Sequence, residues 1–445
     1  MNPAARTAWS LGFFVELGLA LLIVAVLYKD ATFLFSAGYL PPPFFHDTND
    51  TFMDWYNTAY WVYHPGTYYN WRSVYPPLSF DFLRLFSIPS CYADAGDFAR
   101  ECDTVGVWTL LILMLLNVPI VYLSYRHNHD RSTVWVRTLV MCGGLPMLFA
   151  FERGNLIIPC FTCFALGYGR VLRSARLKWI FAALTINFKP YLVLTVLPQL
   201  FRRRWRWVEG CLAAVVVVYL ISFIAFGSGT PWEIGNDIFL FSKGTTLFSF
   251  NSSEYASSYV ALISLVKSSF PLMFFVGSRP MEFVSLVFPL AIRVGEAGVL
   301  LAFLASAWAP GSVSVGRLSA LGTAVAISAA NPGGYTEVFL LFFVFQERWR
   351  GAALILAIVA AYLLCVPWDM ALARIAHEIH NSYLLGRTVG NDVAINAGEL
   401  IRPALVLIIQ YALIAASLGD AVKAVLRDRA LARPGAGSGP VEALA

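Results

Sequence analysis

The chain has 445 residues, of which 58% are hydrophobic, 15% aromatic and only 13% charged; soluble domains carry about a quarter charged residues, so a soluble globular protein is excluded. The net charge of +5 is modest and dispersed among short loops, which implies no nucleic-acid partner. No glycine-rich phosphate loop occurs, which speaks against ATP-driven work.

Apolar segments of helix-spanning length recur along the chain and predict an all-α, multi-pass membrane protein. The first, within "MNPAARTAWSLGFFVELGLALLIVAVLY", has one Arg ahead of a long apolar run and no small-residue cleavage site, so it is predicted to be a retained signal-anchor helix. About twelve spans follow from the pattern, at 9–28, 105–125, 134–150, 155–169, 179–188, 191–201, 207–227, 283–309, 318–331, 335–346, 351–367 and 403–419. Basic clusters alternate with them: Arg6, Arg126 with Arg131, Arg170 to Lys178, Arg202 to Arg206, Arg317, Arg348 with Arg350, and Lys423 to Arg429. Placing all of these in the cytoplasm satisfies the positive-inside rule and leaves both termini cytoplasmic.

Residues 1–433 then form one membrane domain with large outer loops at 29–104, 228–282 and 368–402. The Lys- and Pro-bearing stretch 257–277 is predicted to lie at the interface or re-enter, because spanning would break the charge alternation. The Gly/Pro/Ser-rich tail, 434–445, is expected to be disordered.

The outer loops carry most of the distinctive chemistry. "DTNDTFMDWYNTAYW" (47–61) sets Asp47, Asp50 and Asp54 among aromatic residues in a chain with few acids. Cys91 and Cys102 fall in the same loop, eleven residues apart, and are a candidate disulfide if that loop is extracytoplasmic. Cys160 and Cys163 form a CxxC inside an apolar segment with no second pair, which reads as packed thiols and not zinc. The aromatic run 60–71 fits carbohydrate stacking or a membrane-interface belt, and the polar loop 242–258 an acceptor entrance or a plain connection.

Three polar turns interrupt the apolar segments, all on the outer face: "FERGN" (151–155), "NFKPY" (187–191) and "NPGGYTE" (331–337). Arg153 and Lys189 at such breaks are costly against lipid and are expected to face a protein cavity. With the helix starts from Asn155 and Tyr191 they suit a phosphate or pyrophosphate. The rival reading pairs Arg153 with Glu152 and lets Lys189 snorkel to the headgroups. Arg293 and Glu296, three apart in an apolar helix, read as mutual neutralisation. His377 and His380 in "HEIH" read as part of an amphipathic surface helix, a third metal ligand being absent nearby.

In order and spacing, "FMDWYNTAYWVYHPGTYYNW" (52–71), "VYPPL" (74–78), "ERGNLI" (152–157) and "NFKPY" resemble glycosyltransferase family 87, GT-C fold enzymes that include polyprenyl-phosphate-mannose-dependent α-mannosyltransferases. The resemblance covers about the first half of the chain. The second half departs from it: where many relatives have a Ser-Pro…His-His turn, this chain has Tyr335, Thr336 and Glu337.

The resemblance implies a GT-C fold in a bacterial inner membrane and transfer of a sugar, mannose first, from a polyprenyl-phosphate donor to a lipid- or glycan-linked acceptor. It implies Asp54 as the base of an inverting displacement. Arg153, Lys189 and Asn155 would hold the donor phosphate, and Trp55, Tyr75, Tyr335 and Glu337 the sugar or acceptor; Asp47 and Asp50 are candidates for sugar hydroxyls or a divalent ion, with solvated loop acids the preferred reading of both. No cofactor is implied, and a divalent cation is left open. Rival readings are a secondary transporter, a glycan-binding scaffold, and a GT-C ligase or polymerase with lipid-pyrophosphate donors.

Overall fold

The structure, a computed structural model, describes residues 11–44, 47–94, 98–242, 277–329 and 333–431. It is mostly helical, and each of the twelve apolar segments of the sequence pattern contains helix within its described residues. Six helices are long and apolar enough to cross a membrane: Leu11–Ala37, Val105–Tyr125, Arg131–Glu152, Trp205–Phe226, Ser278–Trp308 and Gly398–Asp428. Shorter apolar helices fill the remaining places. The protein is therefore embedded in a membrane.

The central helices are α6 (Leu145–Glu152), α7 (Ile157–Tyr168) and α14 (Glu337–Val344), with α13 (Val315–Ala329) and α15 (Gly351–Leu364) against them. Every residue of α14 is buried. A helix apolar on all sides can only be satisfied this way, and Phe161 and Phe164 of α7 pack their rings on Phe339 and Phe342. The peripheral helices α1 (Leu11–Ala37), α10 (Trp205–Phe226) and α12 (Ser278–Trp308) instead expose Leu22, Ile221, Ile224, Leu286 and Leu290 outward. That pattern suits a hydrocarbon surround.

Two arginines inside the bundle are each held by carboxylates. Arg137 of α5 (Arg131–Gly143) holds both carboxylate oxygens of Glu16 and the carbonyls of Phe345 and Glu347. Arg317 does the same with Glu347 and also reaches Asp420. The sequence reading missed the Glu16–Arg137 pair, although an acid and an arginine in two apolar segments already require partners. Arg293 pairs with Glu296 at 3.0 Å, as expected of i,i+3 neighbours.

The first long loop of the chain is built on α2 (Met53–Tyr63) and α3 (Pro77–Leu85). Pro77 starts α3 without losing a needed hydrogen bond, and Phe80 and Leu83 bury its apolar face. Cys91 and Cys102 are joined in a disulfide. Buried Asp103, just beyond it, accepts from the Tyr92 hydroxyl at 2.6 Å and from the backbone of Val105, which opens α4 (Val105–Tyr125). A Cys91→Ala, Cys102→Ala double variant is expected to lose about 3 kcal/mol of stability from the released loop closure, read as a lower unfolding temperature that reductant reproduces in the parent.

The expected all-α architecture is corrected at residues 371–396. There the chain forms an antiparallel hairpin of β1 (Ala371–Asn381) and β2 (Thr388–Asn396), not the surface helix expected for "HEIH". The i,i+3 histidines suggested a helix, but β-branched Thr388, Val389, Val393 and Ile395 in the second run favour a strand that pairs with the first. Strand geometry also sends His377 and His380 to opposite faces. His377 meets Asp392, while His380 meets Asp47 and Glu378.

The segment 257–277 lies outside the described residues except for Gly277, as do 243–258 of the polar loop and the 434–445 tail.

Candidate active site

The polar turns meet at one end of the bundle. Asp54 is in the first turn of α2, Arg153 and Asn155 lie between α6 and α7, Lys189 follows α8 (Ala175–Phe188), and Tyr335 precedes α14. Two backbone hydrogen bonds lock the first long loop to the Arg153 turn: Phe52 donates to the Glu152 carbonyl at 2.8 Å and Asp54 to the Arg153 carbonyl at 3.0 Å.

That contact forces unusual backbone. Phe52 has φ +65°, a left-handed conformation costing about 1–3 kcal/mol for a bulky residue. Gly154 has the same φ, and a Cβ there would lie 2.7 Å from the Phe52 ring and 2.9 Å from its carbonyl oxygen. Gly154→Ala is therefore expected to push Phe52 away, displace Asp54 and lower activity at least about tenfold. Activity against thermal stability of the same preparation checks it, since a purely global effect would move both.

Both oxygens of the Asp54 carboxylate are engaged. Arg153 donates to one at 2.9 Å and the Asn155 amide to the other at 2.6 Å. Asn155 is fully buried, and its side-chain oxygen caps the start of α7 through the Ile157 amide at 2.9 Å. One asparagine thus fixes a helix start and the carboxylate together. Asn155→Asp is expected to keep the cap but set a second carboxylate against Asp54, reducing activity at least about a hundredfold in a folded protein. Circular dichroism and turnover measured together check this.

Arg153 has a second acidic partner in Asp50, which it contacts through its side chain and backbone carbonyl. Neither sequence reading anticipated this: the guanidinium is held between Asp50 and Asp54, and not by its neighbour Glu152. Burial raises the Asp50 carboxyl above its usual range, although Arg153 pulls it down. The loop carrying Asp50 is fixed from two sides. Arg100 donates to the Thr48 and Thr51 carbonyls, and the β-hairpin contributes Tyr383 to Thr51 and His380 to Asp47.

Lys189 is buried, with its ammonium 4.3 Å from the centre of the Tyr75 ring. Among the described residues it has no carboxylate within ion-pairing distance; Asp54 and the Tyr335 hydroxyl are within its longer electrostatic reach. Burial with nearby Asp54 raises the pKa of the Tyr75 hydroxyl, so it keeps its proton, and the Asn155 amide is among the groups that act on it. Tyr335 stacks on Phe149 and feels the same charges.

Of the ten ligand-contact and catalytic candidates, Asp54, Arg153, Asn155, Lys189, Tyr75 and Tyr335 come together, with Asp50 joined through Arg153. Three do not. Asp47 caps a short turn and pairs with His380 away from the Asp54 carboxylate. Trp55 is completely buried against Phe82 and Gly106 and offers no ring face to a sugar. Glu337 is completely buried at the N-terminus of α14, where an acid favours the helix dipole.

Among the described residues no group of three or more acidic, histidine or cysteine side chains forms a metal-ligand set. Cys160 is buried on α7 near Lys189, and Cys163 is a packed free thiol.

Comparison with protein-family models, with curated proteins and with solved structures finds no match for this chain.

Proposed function

We propose that the protein is an integral-membrane glycosyltransferase of the GT-C type, acting on the extracytoplasmic face. It moves a sugar, mannose first, from a polyprenyl-phosphate donor to a lipid- or polysaccharide-linked acceptor. The observation carrying this reading is Lys189: a buried cation without a carboxylate partner among the described residues, beside a carboxylate held by an arginine and an amide. A buried ammonium calls for an anion, and the phosphate of a lipid-linked sugar supplies one.

In the proposed reaction Asp54 removes the acceptor hydroxyl proton, the acceptor oxygen bonds to the anomeric carbon, and the bond from that carbon to the phosphate oxygen breaks with inversion. The departing polyprenyl phosphate takes up negative charge beside Lys189 and Arg153. Protonation of Asp54 weakens its hold on Arg153 as that charge appears, so the guanidinium is freed for the phosphate. Tyr75 and Tyr335 border the sugar. The disulfide of the same loop fits an oxidising compartment, and basic residues at the opposite helix ends fit a cytoplasmic face.

Lys189→Met is expected to raise the KM for a polyprenyl-phosphate sugar about tenfold or more and to lower kcat as well, because the ammonium faces the phosphate in the ground state and its growing charge in the transition state. Steady-state kinetics over a panel of phosphate- and pyrophosphate-linked donors checks this. Turnover of pyrophosphate donors alone would replace the reading with a ligase or polymerase of the same fold class.

A further inference from the structure

A cavity of about 660 Å³ opens at the opposite end of the same helices. Its wall includes Tyr168 at the end of α7, Lys178 of α8, Gln199 of α9 (Leu197–Phe201) and Ser319 of α13. The Asp54 site lies at the other end of α7, whose 12 residues give a separation of roughly 18 Å. This volume falls in the range of small-ligand sites.

Seven of the lining residues are basic and one, Glu347, is acidic. Arg317 neutralises Glu347, and Arg350 shares Asp420 with it. That leaves Arg170, Arg173, Lys178, Arg204 and Arg348 around the cavity, with no carboxylate partner among the described residues. A membrane-topology signal needs only positive charge near helix ends, not an enclosed space.

The floor supplies the second observation. Gln199 is 7% exposed and Ser319 1%, and both line the cavity. Among the described residues the Gln199 side-chain oxygen and the Ser319 hydroxyl have no hydrogen-bond partner. A buried polar group left unpaired costs about 1–3 kcal/mol, so both gain from a partner in the cavity that their side chains meet by a small rotation. An acceptor oxygen requires a donor, such as a hydroxyl.

We infer that this cavity is a second ligand site, taking a phosphate ester whose hydroxyl groups hydrogen-bond Gln199 and Ser319 while the phosphate sits among the arginines. The ester arrives either as a soluble sugar or polyol phosphate or as the head group of an anionic lipid. The site is independent of the proposed transferase reaction.

The test uses the full-length protein in nanodiscs of neutral lipid, titrated calorimetrically with myo-inositol 1-phosphate and with inorganic phosphate. Saturable, salt-sensitive binding of the ester, tighter than that of phosphate, is expected. Arg173→Gln with Arg204→Gln, both exposed positions, should weaken it at least about tenfold. Gln199→Leu should bring ester affinity down towards that of phosphate and leave phosphate binding unchanged. Phosphatidylinositol in the nanodisc that competes with the soluble ester identifies a lipid source, and absence of competition a soluble one. No saturable binding of either ester form, or binding unchanged in the double arginine variant, would overturn the site; an unchanged ester-to-phosphate ratio in Gln199→Leu would overturn the role of the hydroxyls.

Discussion

Asp54→Asn should lower kcat for sugar transfer by about 10²–10⁴-fold, the usual contribution of a positioned general base. The substitution preserves shape, and its amide retains an oxygen to accept from Arg153 or Asn155. Arg153 also keeps Asp50. Donor affinity should therefore stay within a few-fold, because the groups assigned to the phosphate are untouched. A loss in KM alone would move Asp54 from proton transfer to binding. The thermal unfolding temperature should change little, which separates lost chemistry from a lost fold.

Arg153→Met should be the most damaging change to structure and activity together. It leaves Asp50 and Asp54 facing each other without the guanidinium between them, and removes the hydrogen bond that fixes one Asp54 oxygen. Removing one partner of a fully buried pair costs about 3–5 kcal/mol. The Asp50 and Asp54 side chains are 30% and 23% exposed, so solvent screening brings the expectation to about 1–3 kcal/mol. Arg153→Lys restores charge without the two-pronged geometry and should recover stability more than turnover. An Asp50→Asn, Arg153→Met double variant should be more stable than Arg153→Met alone, since one uncompensated carboxylate is gone. Chemical denaturation of the four proteins checks the order.

Much of this site was legible because a membrane makes polar residues conspicuous. Arg153, Lys189 and Tyr335 stood out as interruptions of apolar runs, and burial in lipid leaves such groups few places to go. Helix ends alternate in space, so turns separated by an even number of crossings share a face, and the structure brings those turns together. What was not legible was pairing across sequence distance. Glu152 lies next to Arg153 in the chain, yet the guanidinium turns to Asp50 and Asp54, a hundred positions away, because two backbone hydrogen bonds dock the loop there.

Residue type was also a poor guide to exposure in the aromatic loop. Trp55 looked like a sugar platform and is core, because Gly106 leaves room for its ring. The hairpin at 371–396 was missed because its first strand, "ALARIAHEIHN", holds residues of mixed preference and two irregularities of register, and only its partner strand settles the conformation. The cavity at the opposite end was invisible for a related reason. Its arginines were counted as topology signals, and nothing local marks Gln199 or Ser319 as buried on a common wall.

The most direct measurement is transfer itself. Purified protein in nanodiscs, wild type beside Asp54→Asn, would be given a panel of radiolabelled polyprenyl-phosphate sugars, mannose first, and a membrane lipid extract as the source of acceptor. Label moving into a new lipid- or glycan-linked product with the wild type, and at least about a hundredfold more slowly with the variant, is the predicted result. Equal label transfer by both folded proteins would contradict Asp54 as the base, and no transfer by wild type from any phosphate-linked sugar would contradict the proposed donor class.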